Sequence, residues 1–239
     1  MKHALRFGVS LVLLALVLSA CGGGADGGSE HQQAEGRSLP KYGQASLPAG
    51  RYHTTEFEPS LSFRITGDDW RFEGPTGTLG DPEHPDYLFF QRVPEAEIAF
   101  FNLRKVEGIY KPTGQNRPIP EGSGTLVSVP TPDELVGWFE HHPYLKTSKP
   151  EPVTVGEVKG VQFDVACANL QKKDTQVDIF GLSTGGTSQV FFLKQEHYIV
   201  LKDVKGVPVV INYSDLKDHF DKFVPVAEKV LQSVEWTGT

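Results

Sequence analysis

The chain has 239 residues, of which 38% are hydrophobic and 22% are charged, and its formal net charge is −7 at pH 7. This acidic composition disfavours a nucleic-acid partner, because nucleic-acid binding needs clustered Lys and Arg. The only two cysteines are Cys21 and Cys167, too few for the disulfide framework of a small exported domain.

The N-terminal 20 residues have the pattern of an export signal. Lys2 and Arg6 precede an apolar run over residues 7–18, and a short cationic region followed by an apolar core is typical of a secretory signal peptide. Residues 7–20 are too few to span a bilayer, which takes about 18–20 residues. The run ends in Leu18-Ser19-Ala20-Cys21, which resembles the lipobox of bacterial lipoproteins.

This resemblance implies that the chain is cleaved before Cys21 and that Cys21 carries lipid, with palmitate among the acyl chains. Removal of residues 1–20, which hold two cations and no anion, leaves 21 cations, 30 anions and a formal charge of −9. Residues 21–40 are rich in glycine and poor in large apolar side chains, so we expect a flexible tether. The alternative is an ordinary secretory signal beside a chance cysteine.

Residues 41–239 are predicted to form one α+β domain built on a twisted antiparallel sheet. Short connections favour antiparallel neighbours, because a parallel crossover needs a dozen or more residues. We expect a hairpin turn at Lys159-Gly160, and burial on both faces for the apolar late strands. Pro208 fits a strand start. Alternating and short apolar runs predict strands at 51–57, 61–66, 87–93, 97–103, 125–129, 153–158, 161–168, 177–182, 189–194, 198–203 and 207–213.

Two helices are predicted. The first follows Thr131, which forms a capping box with Glu134, and ends at Pro143. The second begins near Ser214 and has an apolar stripe of about five turns. Pro225 lies inside this stripe, so we expect a kink or a break at 221–224.

Both ends of this domain resemble PsbP-like domains. Residues 57–63 (Phe-Glu-Pro-Ser-Leu-Ser-Phe) with Asp69-Trp70 are similar to the opening of such domains, and residues 223–234 are similar to their terminal helix. The resemblance implies an α/β/α sandwich around an antiparallel sheet, and it extends to bacterial cell-envelope lipoproteins. The shared residues serve packing, so the resemblance assigns no functional residue.

Ser183 is a candidate nucleophile, because residues 181–185 match the pattern G-x-S-x-G and Asp215 and His219 follow in hydrolase order. The nucleophile elbow needs a strand before the serine and a helix after it. Here a predicted strand follows Gly185-Gly186, so a hairpin turn is favoured. Asp215 and His219 are four residues apart and are expected to form an exposed pair on one helix.

Other chemistry-bearing residues have structural interpretations. Asp81, Glu83, His84 and Asp86 could offer ligands to a hard cation, but an exposed acidic turn is favoured. His141 and His142 are expected to complement the dipole at a helix C-terminus, and His197 has no evident partner. Cys167, in a small apolar stretch, is expected to be a buried structural thiol. Residues 111–124 should form a long loop.

The sequence therefore predicts an exported lipoprotein, held outside the cytoplasm by lipid on Cys21, with a noncatalytic binding or accessory domain. It predicts no catalytic residue, cofactor or metal ligand. The expected partners are the membrane and an envelope protein, glycan or lipid, with no nucleic acid. The alternatives are an envelope hydrolase that uses Ser183 and a metal-binding lipoprotein that uses residues 81–86.

Overall fold

The computed structural model describes residues 36–40, 44–54, 57–73, 87–93, 99–106, 108–110, 126–128, 131–168, 176–181, 187–191 and 193–237. They all belong to one compact unit, residues 35–239. The predicted signal peptide and Cys21 lie outside the described residues. The described elements, in chain order, are β1 Arg37–Ser38, β2 Gln44–Leu47, β3 Gly50–Thr54, β4 Leu61–Ile65, β5 Trp70–Glu73, β6 Tyr87–Arg92, β7 Ala99–Lys105, β8 Gly108–Tyr110, β9 Leu126–Ser128, α1 Pro132–His141, β10 Leu145–Thr147, β11 Glu151–Val155, β12 Val158–Cys167, β13 Gln176–Gly181, β14 Thr187–Phe191, β15 Lys194–Val204, β16 Val207–Leu216, α2 Phe220–Leu231 and β17 Glu235–Trp236.

A nine-stranded sheet forms the centre of the fold. Its strand order is β10-β12-β15-β16-β7-β6-β5-β2, with β11 paired to β12, and every pairing in it is antiparallel. Two smaller sheets, β1-β3-β4-β17 and β14-β13-β8-β9, complete the described part. The predicted α+β class, with a mainly antiparallel sheet and flanking helices, is confirmed.

The central sheet separates two apolar cores, because successive side chains of a strand point to opposite faces. One core joins the sheet to α2 and to the sheet that contains β4, through side chains such as Phe63, Phe101 and Phe223. The other joins the opposite face to α1 and to the sheet that contains β13, through side chains such as Phe139, Ile179 and Val200. As predicted, the middle of β15 and of β16 is buried on both faces.

The predicted start of the first helix is confirmed. Thr131 accepts a hydrogen bond from the Glu134 backbone, and the Glu134 carboxylate accepts one from the Thr131 backbone. This capping box satisfies two N–H groups that the first turn of a helix leaves without partners. Pro132 is the first helical residue, and the helix ends before Pro143.

The predicted start of the second helix is wrong. β16 continues to Leu216, and α2 begins at Phe220 rather than near Ser214 because Ser214 is paired with Glu196 of β15. α2 also continues through Pro225 without a break. Within the predicted tether, Arg37–Ser38 pairs with β3 and Leu39 packs against the core, because Leu39 is the first large apolar side chain after the signal.

The hairpin between β11 and β12 turns at Gly156-Glu157 rather than at Lys159-Gly160. Both turn residues have positive φ, 53° and 69°, the backbone geometry of a two-residue turn that suits the twist of paired strands. Gly160 is instead a strand residue that allows close approach, because a Cβ there would lie 2.5 Å from the Val200 carbonyl oxygen.

Candidate functional site

Five polar side chains lie together on the face of the central sheet that points toward α1. Asn102 and Arg104 come from β7, Glu196 and Tyr198 from β15, and Asn212 from β16; we call them the polar strip. Asn212 pairs in register with both Tyr198 and Asn102, so these three share a face. Glu196 lies two residues from Tyr198 on β15, and Arg104 lies two residues from Asn102 on β7. Side chains two residues apart on a strand point to the same face, so all five lie on one face.

Glu196 is the anionic end of the polar strip. Its side chain is buried, with a relative exposure of 2%. Its Oε2 atom accepts hydrogen bonds from the Tyr198 hydroxyl (2.8 Å) and from Nδ2 of Asn212 (3.1 Å). A buried carboxylate needs such donors, since its desolvation is otherwise very costly. Burial, and then the nearby Glu196 charge, raise the pKa of Tyr198 well above its usual value, so this hydroxyl is a hydrogen-bond donor.

Packing on α1 fixes the position of Tyr198. The ring of Phe139, on α1, lies 4.9 Å from the Tyr198 ring, 5.0 Å from Phe163 and 5.6 Å from Phe180. Aromatic pairs at such distances stabilise a fold beyond the area that they bury. The helix thereby holds the Tyr198 hydroxyl against Glu196.

The middle of the polar strip contains acceptors without donors. Asn102 and Asn212 are each 2% exposed, and the Oδ1 atom of each is buried with no hydrogen-bond partner in the described part of the chain. Leaving such a group unsatisfied costs about 1–3 kcal/mol. Unsatisfied buried groups are rare in native proteins, and each needs an explanation such as a functional role, an ordered water or a bound ion.

Arg104 forms the cationic end. Its Nε and Nη1 atoms are buried and have no hydrogen-bond partner among the described residues. Arg104 is also absent from the ion pairs that the described residues make. The described part of the chain therefore offers this guanidinium no paired anion.

The polar strip reaches solvent at the Arg104 end. Tyr87 pairs in register with Arg104, and Phe89 pairs with Asn102, so both aromatic side chains lie on the same face. Tyr87, Phe89 and Arg104 are half-buried, whereas Asn102 and Asn212 are fully buried. The strip therefore passes from fully buried residues on β16 and β7 to half-buried residues at Arg104 and on β6.

Two reactive residue types border Glu196. Burial lowers the pKa of Lys194 to about 8, against the opposing effects of Glu196 and Asp215. Burial, and then Glu196, raise the pKa of Cys167 to about 12, and its thiol donates a 3.4 Å hydrogen bond to the Val190 carbonyl. The thiol is protonated at neutral pH and therefore a poor nucleophile, as expected of a buried structural cysteine.

The described residues bear on the surroundings of Ser183 and on Asp215 and His219, the residues of the hydrolase hypothesis. Ser183 lies outside the described residues, but Gly181 of β13 pairs with Thr187 of β14 in antiparallel register. A strand therefore follows the serine, where a nucleophile elbow needs a helix. The expected exposed pair of Asp215 and His219 on one helix is wrong, since Asp215 is a buried residue of β16 and His219 lies directly before the first residue of α2.

The metal hypothesis rested on Asp81, Glu83, His84 and Asp86, which lie outside the described residues together with 111–124. Among the residues that are described, no group of three or more His, Cys, Asp or Glu could hold a metal ion.

No described helix has the length and apolar character needed to cross a membrane.

The histidines have structural environments that sequence could not assign. Burial lowers the pKa of His142 to about 4, so at neutral pH it is uncharged and the predicted complement to the helix dipole is wrong for it. His141 is exposed in the last turn, with Nδ1 2.7 Å from the Gly137 carbonyl oxygen. His197 does have a partner: its Nδ1 lies 2.8 Å from Asp164 Oδ1, and its ring stacks on Tyr213.

Comparison with solved structures finds similar folds, including these two. The first is the solution structure of cyanobacterial PsbP (CyanoP) from Synechocystis sp. PCC 6803, with 12% identity, a TM-score of 0.42, and coverage of 80% of this chain and 93% of that one. The second is the crystal structure of LpqN, involved in cell envelope biogenesis of Mycobacterium tuberculosis, with 11% identity, a TM-score of 0.39, and coverage of 82% and 91%. Both similarities concern the fold alone. No protein-family model and no curated protein matches the chain.

Proposed function

We propose that the protein is an exported lipoprotein whose domain binds a small polar ligand in the polar strip without transforming it. The observation that carries the binding function is a set of buried atoms that have no hydrogen-bond partner among the described residues: Oδ1 of Asn102 and of Asn212, with Nε and Nη1 of Arg104. A protein that only had to fold would gain stability from apolar side chains at these positions. Retained polar groups of this kind are expected where function conflicts with stability.

The chemistry of the surrounding groups favours binding over catalysis. The Cys167 thiol and the Tyr198 hydroxyl both have raised pKa values, so neither supplies an anionic nucleophile at neutral pH. A general base or an activated nucleophile needs a pKa near the working pH. Among the groups that border Glu196, only Lys194 comes near it, with a pKa of about 8, and at neutral pH it is still mostly the protonated ammonium. The polar strip can therefore bind a ligand through hydrogen bonds and ion pairs.

The anchor is the second element of the proposal. The lipobox-like Leu18-Ser19-Ala20-Cys21 follows an apolar signal and precedes a glycine-rich segment. Two or more acyl chains hold a protein stably, since each buried methylene contributes about 0.8 kcal/mol. The domain would then bind its ligand at the face of a bacterial membrane, in the cell envelope.

Co-purification tests the binding function. The full-length protein, extracted from the envelope in mild detergent, is examined by native mass spectrometry beside Asn102→Leu and Arg104→Gln. We expect a bound small molecule on the wild type that both variants lose. Arg64→Gln is the matched control, because Arg64 is exposed on another sheet. A wild-type mass with nothing bound, or a ligand that all variants retain, argues against the site.

Labelling with palmitate tests the anchor. We expect label and membrane fractionation for the wild type and for Cys167→Ala, and loss of both for Cys21→Ala. Because the two variants each remove one of the chain's two cysteines, they separate lipidation at Cys21 from lipidation elsewhere. Label retained by Cys21→Ala would contradict the anchor.

A further inference from the structure

We infer that the ligand of the polar strip is a small zwitterion, an α-amino acid, with its carboxylate at Arg104 and its ammonium at the oxygens of Asn102 and Asn212. This inference rests on the proposed function, since it names the chemistry of the same site. It follows from the order of charges along the strip: a cation, then two acceptors, then an anion.

Arg104 favours an anionic group on the ligand. Its charge is half-buried and meets no carboxylate in the described part of the chain, so an anionic group on the ligand would find an ion-pair partner there. A carboxylate suits a guanidinium, because charge-assisted hydrogen bonds are about twice as strong as neutral ones.

The two asparagine oxygens require a donor. Asn102 and Asn212 are directly opposed across β7 and β16, where Cβ atoms lie about 4.5–5.5 Å apart. One ammonium group carries three N–H donors, so it can bond both oxygens at once. Glu196 accepts the Nδ2 hydrogen bond of Asn212, and its negative charge favours a cation at this end of the strip.

Arg104 and Asn102 are neighbours on one face of β7. They are two residues apart, so their Cα atoms are separated by about 6.6 Å. Two side chains that start this close together can both reach one small molecule through hydrogen bonds of about 2.9 Å. Tyr87 and Phe89 lie beside these residues at half-buried positions of β6, where their rings can pack on the ligand's side chain.

Other small ligands leave part of the site unsatisfied. A neutral sugar supplies donors and acceptors but no charge for Arg104. Inorganic phosphate pairs with Arg104 but repels Glu196, and a metal ion is repelled by the guanidinium. Water fills hydrogen bonds but leaves the guanidinium unpaired.

Thermal unfolding of the full-length protein in detergent, with each of the twenty standard L-amino acids as probe, tests the inference. We expect at least one probe to raise Tm by about 3–6 °C at ten times its Kd. The N-acetyl derivative, which lacks the ammonium, and the amide, which lacks the carboxylate, should each give no shift at the same concentration. Arg104→Gln should abolish the response and Arg64→Gln should retain it.

Two failures are distinguishable. In a first outcome, the blocked derivatives stabilise the protein as well as the free amino acid does. In a second, no amino acid raises Tm, while native mass spectrometry still shows a bound ligand that Asn102→Leu loses. In both cases the ligand is not a zwitterion, but the binding site stands. If no probe acts and the purified protein carries no ligand, the strip holds internal water only, and both proposals fall.

Discussion

Replacing Asn102 by Leu should stabilise the ligand-free protein. The substitution keeps the side chain's approximate volume and removes a buried Oδ1 that has no hydrogen-bond partner in the described structure. Relief of that unsatisfied group is worth about 1–3 kcal/mol. We therefore expect the free energy of unfolding to rise by about 1–2 kcal/mol, after some loss to imperfect packing of the branched side chain.

Asn212→Leu provides the contrast within the same strip. Asn212 also has an Oδ1 without a hydrogen-bond partner in the part of the chain that the structure describes, but its Nδ2 donates to the buried Glu196 carboxylate. A hydrogen bond to a charged group contributes about 1.5–3 kcal/mol. Asn212→Leu should therefore be less stable than Asn102→Leu by about that amount, although the two substitutions are chemically identical.

Equilibrium urea unfolding, followed by tryptophan fluorescence, measures both effects. With a slope of about 2 kcal/mol per molar urea, Asn102→Leu should raise the midpoint by roughly 0.5–1 M. The protein must first be freed of bound ligand by partial unfolding and dialysis, because a ligand stabilises the wild type selectively. A lower midpoint for Asn102→Leu, or equal midpoints for the two variants, would refute the reasoning.

Three further changes test the packing and the electrostatics. Phe139→Ala removes the ring that contacts Tyr198 and should lower the free energy of unfolding by about 3–5 kcal/mol in urea titrations. A loss below about 1 kcal/mol would contradict the inference that this ring is packed in the core. Gly160→Ala puts a Cβ 2.5 Å from the Val200 carbonyl oxygen and should lower the free energy of unfolding by about 1–3 kcal/mol in the same assay. An unchanged free energy of unfolding would show that β12 and β15 can move apart without cost. His142, with a folded pKa near 4 against 6.5 unfolded, takes up a proton more readily in the unfolded chain. The free energy of unfolding should therefore fall by up to about 3 kcal/mol as the pH drops from 6.5 to 4. The fall should be smaller in His142→Asn, and the same pH profile for the wild type and this variant would contradict the prediction.

The sequence predicted correctly those helices and strands whose boundaries depend on residues close together in the chain. Thr131, Pro132 and Glu134 fixed the start of α1, because a capping box acts within one turn. The apolar runs of β15 and β16 indicated strands buried on both faces. Short strands such as β2 and β17 have no such signal, since their stability comes from pairing with β5 and β4.

The errors arose where tertiary contacts overrode a local pattern. Gly160 looked like a turn residue, but its missing side chain serves the close approach of β12 to Val200. Asp215 and His219 have helical spacing, yet pairing of β16 with β15 extends through Asp215. A competing strand partner is invisible in a window of a dozen residues.

The polar strip could not be predicted for the same reason. Asn102, Glu196 and Asn212 come from three strands, and only the register of the central sheet brings them together. The sequence does hold a weak signal, because each is a polar residue inside an apolar strand. That signal identifies buried polar residues but not which of them meet.

A crystal structure at high resolution, from protein extracted from the envelope without unfolding, tests the site most directly. The account predicts density larger than water that contacts Oδ1 of Asn102, Oδ1 of Asn212 and the guanidinium of Arg104. Separate water molecules at all three positions, or side chains rearranged to satisfy one another, would contradict it.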